Sequence, residues 1–391
     1  MGVMYELREN TTNAGVAARY RTSFIFLSFV ILVLYACSDL KVLAQEFTRA
    51  GPNYSWNFPK DHGQHPEYET EWWYYTGQLY EQGTVHFKDK PRFGFQLTFF
   101  RKAIRTAHGV SHDYMAHAAV TDLIEGKTIF ESRMGGGELG LSGTSRISLR
   151  SWSGDWSVDS IGNDIFLRFA VEEQKTHTLR SLRLQIRGVP HPWLQGAAGL
   201  SKKSDCEGCA SMYYTLPRLN ITAQYITEDS ERVLTGIGWM DHEFMTNLLS
   251  PDQAGWDWMG LMLRDGRSVM VFRLRSNGPE ALKYMAGGVH SLGSTRVFTK
   301  DEFTFAPLAF WSSSRSGAVY PISWRIQIPA EGIDTIVSAR VHDCEVGSQS
   351  KNVQDASAQS GITYWEGPVA SDDESVLGYL EMTGYAGRVS F

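Results

Sequence analysis

The sequence predicts an all-β protein, and three observations support this. Phe, Trp and Tyr make up 13% of its 391 residues, and aromatic residues favour strands over helices. The 37 glycines supply turns. Short alternating segments recur between turn signals, a spacing that is typical of an antiparallel barrel or sandwich. The length allows two domains or one unusually large β domain.

One early strand carries Glu71, Trp73 and Tyr75 on a single face, because side chains alternate along a strand. Its other face is also aromatic, which is typical of a strand that is covered on both sides or lines a cavity. We predict that Trp73 and Tyr75 bind a ligand. Burial would raise the pKa of Glu71 and make it a proton donor. The alternative is an ion pair between Glu71 and Arg92 or Arg101.

Further strands are expected in both halves of the chain. They are Phe93–Arg101, Tyr114–Asp122, Trp156–Val158, Ile165–Glu172, Ser181–Arg187, Asn220–Thr227, Val233–Trp239, Gly255–Leu263, Ser268–Arg275, Val289–Leu292, Phe303–Trp311, Ile322–Ile328 and Ser338–His342. The stretch Met134–Gly143 predicts a loop, since it lacks the features of a phosphate loop. Aromatic strands that end in Tyr or Gly occur in both halves (Trp72–Gly77 and Tyr379–Tyr385). We therefore predict two related barrels, at residues 56–244 and 245–391.

The amino terminus predicts export. Arg19 and Arg21 precede the apolar run Ser23–Ala36, which is short for a membrane span but suits a signal peptide. The run ends in Leu-Tyr-Ala-Cys, which resembles a bacterial lipobox. Residues 1–37 are thus predicted to be a signal, with lipidation at Cys37.

Two alternatives to lipidation remain open. Cleavage after Ala44 would give a soluble secreted protein, and an uncleaved segment would anchor the chain in the membrane. All three interpretations place the protein in the periplasm, in the cell envelope or outside the cell, with a possible membrane tether. Residues 38–55 are expected to be a polar linker.

Charge and cysteine content exclude some functions. The net charge is −6 and basic blocks are absent, so we expect no nucleic-acid partner. In an oxidising compartment Cys206 and Cys209 are predicted to form a small loop disulfide, which leaves Cys344 free or buried. A zinc site would need further ligands near this loop, and the sequence offers none.

The stretch Gly236–Phe244 concentrates ionisable residues. If it is a strand, Asp241 and Glu243 project to one face and His242 to the other. An acid and an imidazole among aromatic residues can carry out proton transfer, so Asp241 and His242 are candidate catalytic residues. The alternative is an ordinary charged turn.

Other histidines lie apart from that stretch. Asp61, His62 and His65 could ligate a metal, but a loop flanked by prolines more often uses such groups for hydrogen bonds. We therefore predict no metal and no cofactor. His117 lies among small residues that leave room for a ligand, which makes it a candidate for ligand binding. The alternative is a core histidine with satisfied hydrogen bonds.

Several motifs together resemble the AttH/carotenoid hydratase-like family, lipocalin-like proteins often labelled secreted hydrolases. The matching motifs are Phe58–Gly63, Thr70–Gly77, Tyr213–Leu219, Trp239–Phe244, Gly255–Trp258 and Tyr364–Gly367. They occur in order over nearly the whole mature chain, which makes the resemblance more specific than a single motif.

The resemblance implies two packed lipocalin-like barrels with an apolar cavity. Relatives include hydratases that add water to isoprenoid double bonds, and His242 occupies the position of their catalytic histidine. The sequence departs from them at Phe244, where the hydratases have Trp, and at Phe272 and Arg273. These departures argue against carotenoid hydration itself. A hydrolase nucleophile elbow is also missing.

Two functions follow as expectations. The first is a cofactor-free hydratase or isomerase of a hydrophobic unsaturated molecule, with Asp241 or Glu71 as the acid and His242 acting on water. Aromatic faces would stabilise the cation; the candidates are Trp73, Trp239, Trp256 and Trp258. The second is a carrier of such a molecule, in which these residues are structural. A minor third is metal-dependent hydrolysis through His62, His65, His117 and His242.

Overall fold

A computed structural model describes residues 46–247, 249–276, 284–291, 293–347 and 362–387. Both sheets of the protein belong to one compact unit, residues 47–104 and 111–391. The predicted signal at residues 1–37, with Cys37, lies outside the described residues. Among the residues that are described, no helix is long and apolar enough to cross a membrane.

The first sheet contains 13 strands. They are β1 (Thr70–Glu81), β2 (Phe93–Thr106), β3 (Gly109–Asp122), β4 (Lys127–Gly136), β5 (Ser142–Thr144), β6 (Arg150–Ser153), β7 (Trp156–Ile161), β8 (Asp164–Glu173), β9 (Thr178–Arg187), β10 (Trp193–Leu194), β11 (Leu200–Lys202), β12 (Ala210–Ile226) and β13 (Glu231–Met245). The order is β4-β3-β2-β1-β13-β12-β9-β8-β7-β6-β5, which gives a nearly closed barrel. Inward-facing aromatic and aliphatic side chains fill this barrel, among them Phe95, Trp156 and Leu184.

The second sheet contains 10 strands. They are β14 (Gln253–Leu263), β15 (Ser268–Ser276), β16 (Tyr284–Ser291), β17 (Ser294–Thr299), β18 (Thr304–Ser312), β19 (Val319–Ile328), β20 (Ile333–Ala339), β21 (Glu345–Val346), β22 (Tyr364–Ala370) and β23 (Val376–Met382). The order β17-β16-β15-β14-β23-β22-β20-β19-β18 forms a half-barrel. Its concave side buries Met259, Trp324 and Trp365. The predicted class, all-β with two antiparallel barrel-like domains, is therefore confirmed.

The two sheets pack through a third buried cluster rich in aromatic residues. Its members include Tyr74, Trp239, Trp258 and Tyr379. Gln78 of β1 reaches across, and its amide nitrogen donates to the carbonyl oxygens of Val369 (3.1 Å) and Gly378 (2.9 Å). Because these groups are buried, each unmade hydrogen bond there would cost free energy.

Several predicted elements differ from the observed ones. The strand predicted to end at Trp239 continues to Met245 as β13, so Asp241, His242 and Glu243 form no turn. The loop predicted from Met134 is wrong at its start, because β4 extends to Gly136 by pairing with β3. Such pairing depends on a distant partner, which local patterns do not reveal.

The strand predicted at Ser338–His342 is also displaced. β20 begins at Ile333, directly after a 3-10 turn that ends on Gly332, and it stops at Ala339. Gly332 adopts a left-handed conformation with φ of 62°, which glycine tolerates without strain. The turn therefore sets the start of the strand earlier than the apolar pattern suggested.

We predict that Gln78→Leu weakens the contact between the sheets. The free energy of unfolding should fall by about 3 kcal/mol, because two buried carbonyls lose their donor and the Arg340 guanidinium loses its 3.0 Å bond to the Gln78 oxygen. Denaturant titration measures this. The control is Gln185→Leu, which removes a half-buried bond to Asp164 within the first sheet. An equal loss in both variants would contradict a special role for Gln78.

Candidate functional site

A pocket lies between the two sheets. The empty space in and in front of it, including open solvent, is about 880 Å³. Aromatic side chains from both sheets form its walls: Trp72, Tyr74, Phe100, Tyr213, Trp256, Trp258, Phe272 and Tyr364. Polar and charged side chains lie between these rings, and each of them is a candidate for orienting a ligand or reacting with it.

Asp241 is a buried carboxyl in the pocket wall. β13 continues as a strand past Trp239, and its alternation turns Asp241 toward the second sheet. The carboxyl accepts hydrogen bonds from Thr215 Oγ1 (2.6 Å), Tyr213 Oη (2.7 Å) and Trp239 Nε1 (2.9 Å). Trp258 Nε1 donates to Tyr213 Oη at 3.0 Å, which extends this network to the second sheet.

Burial controls the ionisation of Asp241. It raises the pKa of this carboxyl to about 7, although the hydrogen bonds donated by Thr215, Tyr213 and Trp239 act to lower it. A carboxyl with such a pKa is partly protonated at neutral pH and can donate a proton. The catalytic role predicted for Asp241 stays a prediction, and this pKa is compatible with it.

Glu243 lines the same pocket, two residues along the same strand face. Alternate residues on one face are about 7 Å apart, so the two carboxyls can contact different atoms of one ligand. Lys203 Nζ lies 2.7 Å from Glu243, and Ser211 donates a short hydrogen bond to it. Glu243 is thus an ion-paired carboxylate, whereas Asp241 has no ion-pair partner among the described residues.

His117, Trp256 and Trp258 also line the pocket. His117 Nδ1 lies 2.9 Å from Tyr364 Oη, and burial lowers the pKa of His117 to about 3, so its ring is neutral. Trp239 is buried and contacts the Asp241 carboxyl. These four residues were predicted to bind a ligand, and the structure brings all four to the pocket or to its acid.

The remaining predicted residues lie on the opposite side of the first sheet. Glu71, Trp73, Tyr75 and His242 face the interior of the first barrel, and each is at most 1% exposed. Trp73 stacks on His242 with ring centroids 4.7 Å apart. The predicted site residues therefore form two groups, separated by the sheet itself.

Glu71 lies at the centre of the interior group. Its carboxylate accepts hydrogen bonds from His65 Nδ1 (2.7 Å), His242 Nε2 (2.8 Å) and Arg101 Nε (3.0 Å). Burial alone would raise the pKa of Glu71, but the charges of His65 and Arg101 hold it well below its usual value. The proton-donor role predicted for Glu71 does not fit this ionised state. The alternative, an ion pair with Arg101, is what the structure contains.

Both ring nitrogens of His242 likewise contact partners inside the barrel. Burial lowers its pKa, although Glu71 acts to raise it, and its Nδ1 lies 3.1 Å from Tyr214 Oη. The side chain is 0% exposed and does not line the pocket that contains Asp241. The predicted action of His242 on water beside Asp241 is therefore not supported, because the strand turns the two side chains to opposite faces.

The interior group also bears on metal binding. His65, Glu71 and His242 form a group of potential ligands whose donor atoms lie within 4.8 Å of one another. Arg101 already provides a positive charge beside the carboxylate, and the two histidines are hydrogen-bonded to it. These contacts identify an ion-pair network that supports the barrel. The four histidines considered for metal-dependent hydrolysis are not all together, since His117 lies in the pocket.

None of the described cysteines lines the pocket or belongs to the interior group. Cys206 and Cys209 are joined by a disulfide in the loop before β12. Cys344 is buried and forms no disulfide, and burial raises the pKa of its thiol to about 12. Such a thiol is a poor nucleophile.

Sequence reasoning missed most of the other residues that line the pocket, among them Lys203, Glu243, Glu366 and Glu381. Glu366 and Glu381 line the pocket from β22 and β23 and lie directly opposite each other in the register. Glu366 lies in the motif Tyr364–Gly367, and Glu381 lies in the aromatic strand predicted at Tyr379–Tyr385. The polar segment Ser371–Ser375 between these two stretches is typical of a turn. It would have indicated a hairpin in which Glu366 and Glu381 are paired.

Fold and site together define a two-barrel, lipocalin-like protein with a carboxyl-bearing pocket between its sheets. The sequence profile of the AttH-like family matches residues 49–385. The chain therefore belongs to the AttH-like family, as the motifs predicted. None of the curated protein sequences matches this chain.

Two solved structures are similar to this one. A protein assigned as AttH from Nitrosomonas europaea is 29% identical, with a TM-score of 0.74; the match covers 86% of this chain and 99% of that one. Kievitone hydratase from Nectria haematococca is 12% identical, with a TM-score of 0.58; the match covers 88% and 97%, respectively. The second likeness shows a shared fold.

We predict that Glu71→Gln destabilises the barrel. Arg101 would remain buried without its counter-charge, so the free energy of unfolding should fall by about 3 kcal/mol or more. Thermal or denaturant unfolding measures the loss. The control on the same strand is Glu81→Gln, which removes a partly exposed pair with Arg232, and its loss should be much smaller. A similar effect in the two variants would argue against the network as a barrel support.

Proposed function

We propose that the pocket binds a hydrophobic, unsaturated small molecule and that Asp241 protonates it in a cofactor-free hydration or isomerisation. The observation that carries the proposal is the raised pKa of this buried carboxyl in a pocket walled by aromatic rings. Protonation of a carbon–carbon double bond needs an acid that is still protonated near neutral pH and is shielded from water.

The proposed reaction uses residues of both sheets. Asp241 transfers its proton to one carbon of the double bond, and positive charge develops on the other carbon. The rings of Trp256 and Trp258 stabilise this cation through their faces. Water then adds to the cation and gives its extra proton to Glu243, which completes a hydration. Loss of a proton from a neighbouring carbon to Glu243 instead would complete an isomerisation.

The shared fold supports the proposal in a limited way. Kievitone hydratase is named for the addition of water to its substrate, and hydration is one of the two reactions proposed for this pocket. The argument itself depends on Asp241, Glu243 and the aromatic walls of this chain. The non-catalytic alternative is a carrier that holds the same kind of molecule unchanged.

We predict that Asp241→Asn abolishes proton transfer and retains ligand binding, because the amide cannot supply the acid. Geraniol, farnesol and squalene are incubated with the protein in D2O, and mass spectrometry detects deuterium bound to carbon and added water. With the wild-type protein, the rate should fall about tenfold per pH unit above pH 7, because the protonated fraction of Asp241 decreases. The exposed variant Asp113→Asn is the control. Recovery of bound, unchanged ligand from the wild-type protein would favour the carrier.

We also propose that the protein acts outside the cytoplasm, tethered by a lipid on Cys37. The support is the lipobox-like sequence that ends the apolar run. Wild-type protein is expected in the detergent-extractable membrane fraction, and Cys37→Ser should release it or block its processing. Wild-type protein that fractionates with the cytoplasm would contradict export, and soluble wild-type protein outside the cytoplasm would favour cleavage after Ala44.

A further inference from the structure

The pocket contains a pair of carboxyl groups that the proposed reaction does not use. Glu366 of β22 and Glu381 of β23 are directly opposite in the strand register, and both line the pocket. Side chains in such cross-strand pairs are about 5 Å apart at Cβ, and like charges at that distance repel. A pair of this kind destabilises the hairpin unless a positive charge or a shared proton offsets the repulsion.

Glu366 also lacks hydrogen-bond partners. Its residue is 2% exposed, and neither carboxyl oxygen has a partner within the part of the chain that the structure describes. The hydroxyls of Tyr74 and Tyr364 approach the Glu366 carboxyl closely enough to lower its pKa, but neither meets it with hydrogen-bond geometry, and that of Tyr364 is hydrogen-bonded to His117 instead. A buried carboxyl without partners is costly. This cost would be relieved by a ligand that supplies a donor.

The charge of the pocket points to the kind of donor. Four carboxyl groups line it (Asp241, Glu243, Glu366 and Glu381), and one lysine, Lys203. Lys203 is paired with Glu243 at 2.7 Å. Within the described residues, the other three carboxyls have no ion-pair partner. The pocket therefore has an excess of acidic groups and surrounding aromatic faces, the combination that favours an organic cation.

We propose that Glu366 and Glu381 form a subsite that binds a protonated amino group of the ligand. This inference rests on the proposed function, because the subsite lies in the same pocket. The ammonium group lies between the two carboxylates and donates hydrogen bonds to Glu366. The apolar part of the ligand extends toward Asp241, Trp256 and Trp258. The substrate class is thereby narrowed to unsaturated hydrophobic amines.

Amine binding is coupled to proton release. Burial raises the pKa of Glu366 well above its usual value and that of Glu381 to about 8, and the proximity of Glu381 raises the pKa of Glu366 further. The other titratable or charged groups facing the pair are Asp241, Glu243, Lys203, His117, Tyr74, Tyr364, Tyr379 and Cys344. At pH 7 the pair retains a proton, which an incoming ammonium group displaces. Amine affinity should therefore rise with pH up to about 8.

Two probes of nearly equal shape test the subsite. Geranylamine carries an ammonium group where geraniol carries a hydroxyl, and calorimetric titration measures the affinity of each. The wild-type protein should bind the amine about tenfold more tightly at pH 8, as expected for a charge-assisted hydrogen bond in a shielded site. At pH 7, titrations in phosphate and in Tris should give different heats, because these buffers take up the released proton with different enthalpies.

Glu366→Gln and Glu381→Gln should each reduce the amine preference to about that of a neutral hydrogen bond. The control is Asp372→Asn, an exposed carboxyl in the turn of the same hairpin. Melting temperatures establish whether each variant is folded. The proton release is measured on the wild-type protein, so this part of the test does not depend on the folding of a variant.

Three outcomes are decisive. Preferential amine binding with proton release supports the subsite. Equal binding of geraniol and geranylamine by the wild-type protein overturns the amine subsite but leaves the apolar pocket of the proposed function intact. If neither probe binds, both the subsite and the proposed pocket are overturned.

Discussion

The pleat of one strand determines how this protein distributes its chemistry. β13 lies between β1 and β12 in the first sheet, and its alternation sends Asp241 to the pocket and His242 into the barrel. The neighbouring strand β12 alternates in the same way: Tyr213 is hydrogen-bonded to Asp241 on the pocket side, and Tyr214 is hydrogen-bonded to His242 inside the barrel. A shift of register by one residue would exchange every one of these contacts. The acidic pocket and the barrel network therefore depend on the same backbone geometry.

Buried charge is treated differently on the two sides of that sheet. Inside the barrel, Glu71 has an arginine and two histidines as partners, so its charge is compensated and its protonation state is fixed. In the pocket, Glu366 and Glu381 have no such partners among the described residues. Buried charges are tolerated when they are paired and costly when they are not. The first arrangement is that of a structural element, and the second fits the amine subsite that we propose.

The sequence predicted what depends on local pattern. It predicted the β class, the family and the alternation that separates Asp241 from His242, because side-chain direction follows from neighbours in the chain. It did not predict which face of each strand meets the second sheet. That depends on packing between distant segments, and so Glu71 and His242 were assigned to the same site as Asp241. The Glu366–Glu381 pair was missed for a similar reason, since its two members come together only when the hairpin forms.

The location of the pocket follows from how the first barrel is filled. Phe95, Trp156 and Leu184 are each at most 2% exposed, and many further large side chains occupy the same interior, so the barrel is a packed core. The residues that line the pocket instead come from the facing surfaces of two sheets. Asp241 and Glu243 belong to the first, whereas Glu366, Glu381 and two tryptophans belong to the second. Neither sheet alone carries both Asp241 and the Glu366–Glu381 pair, so the proposed reaction and the proposed subsite require the two barrels together.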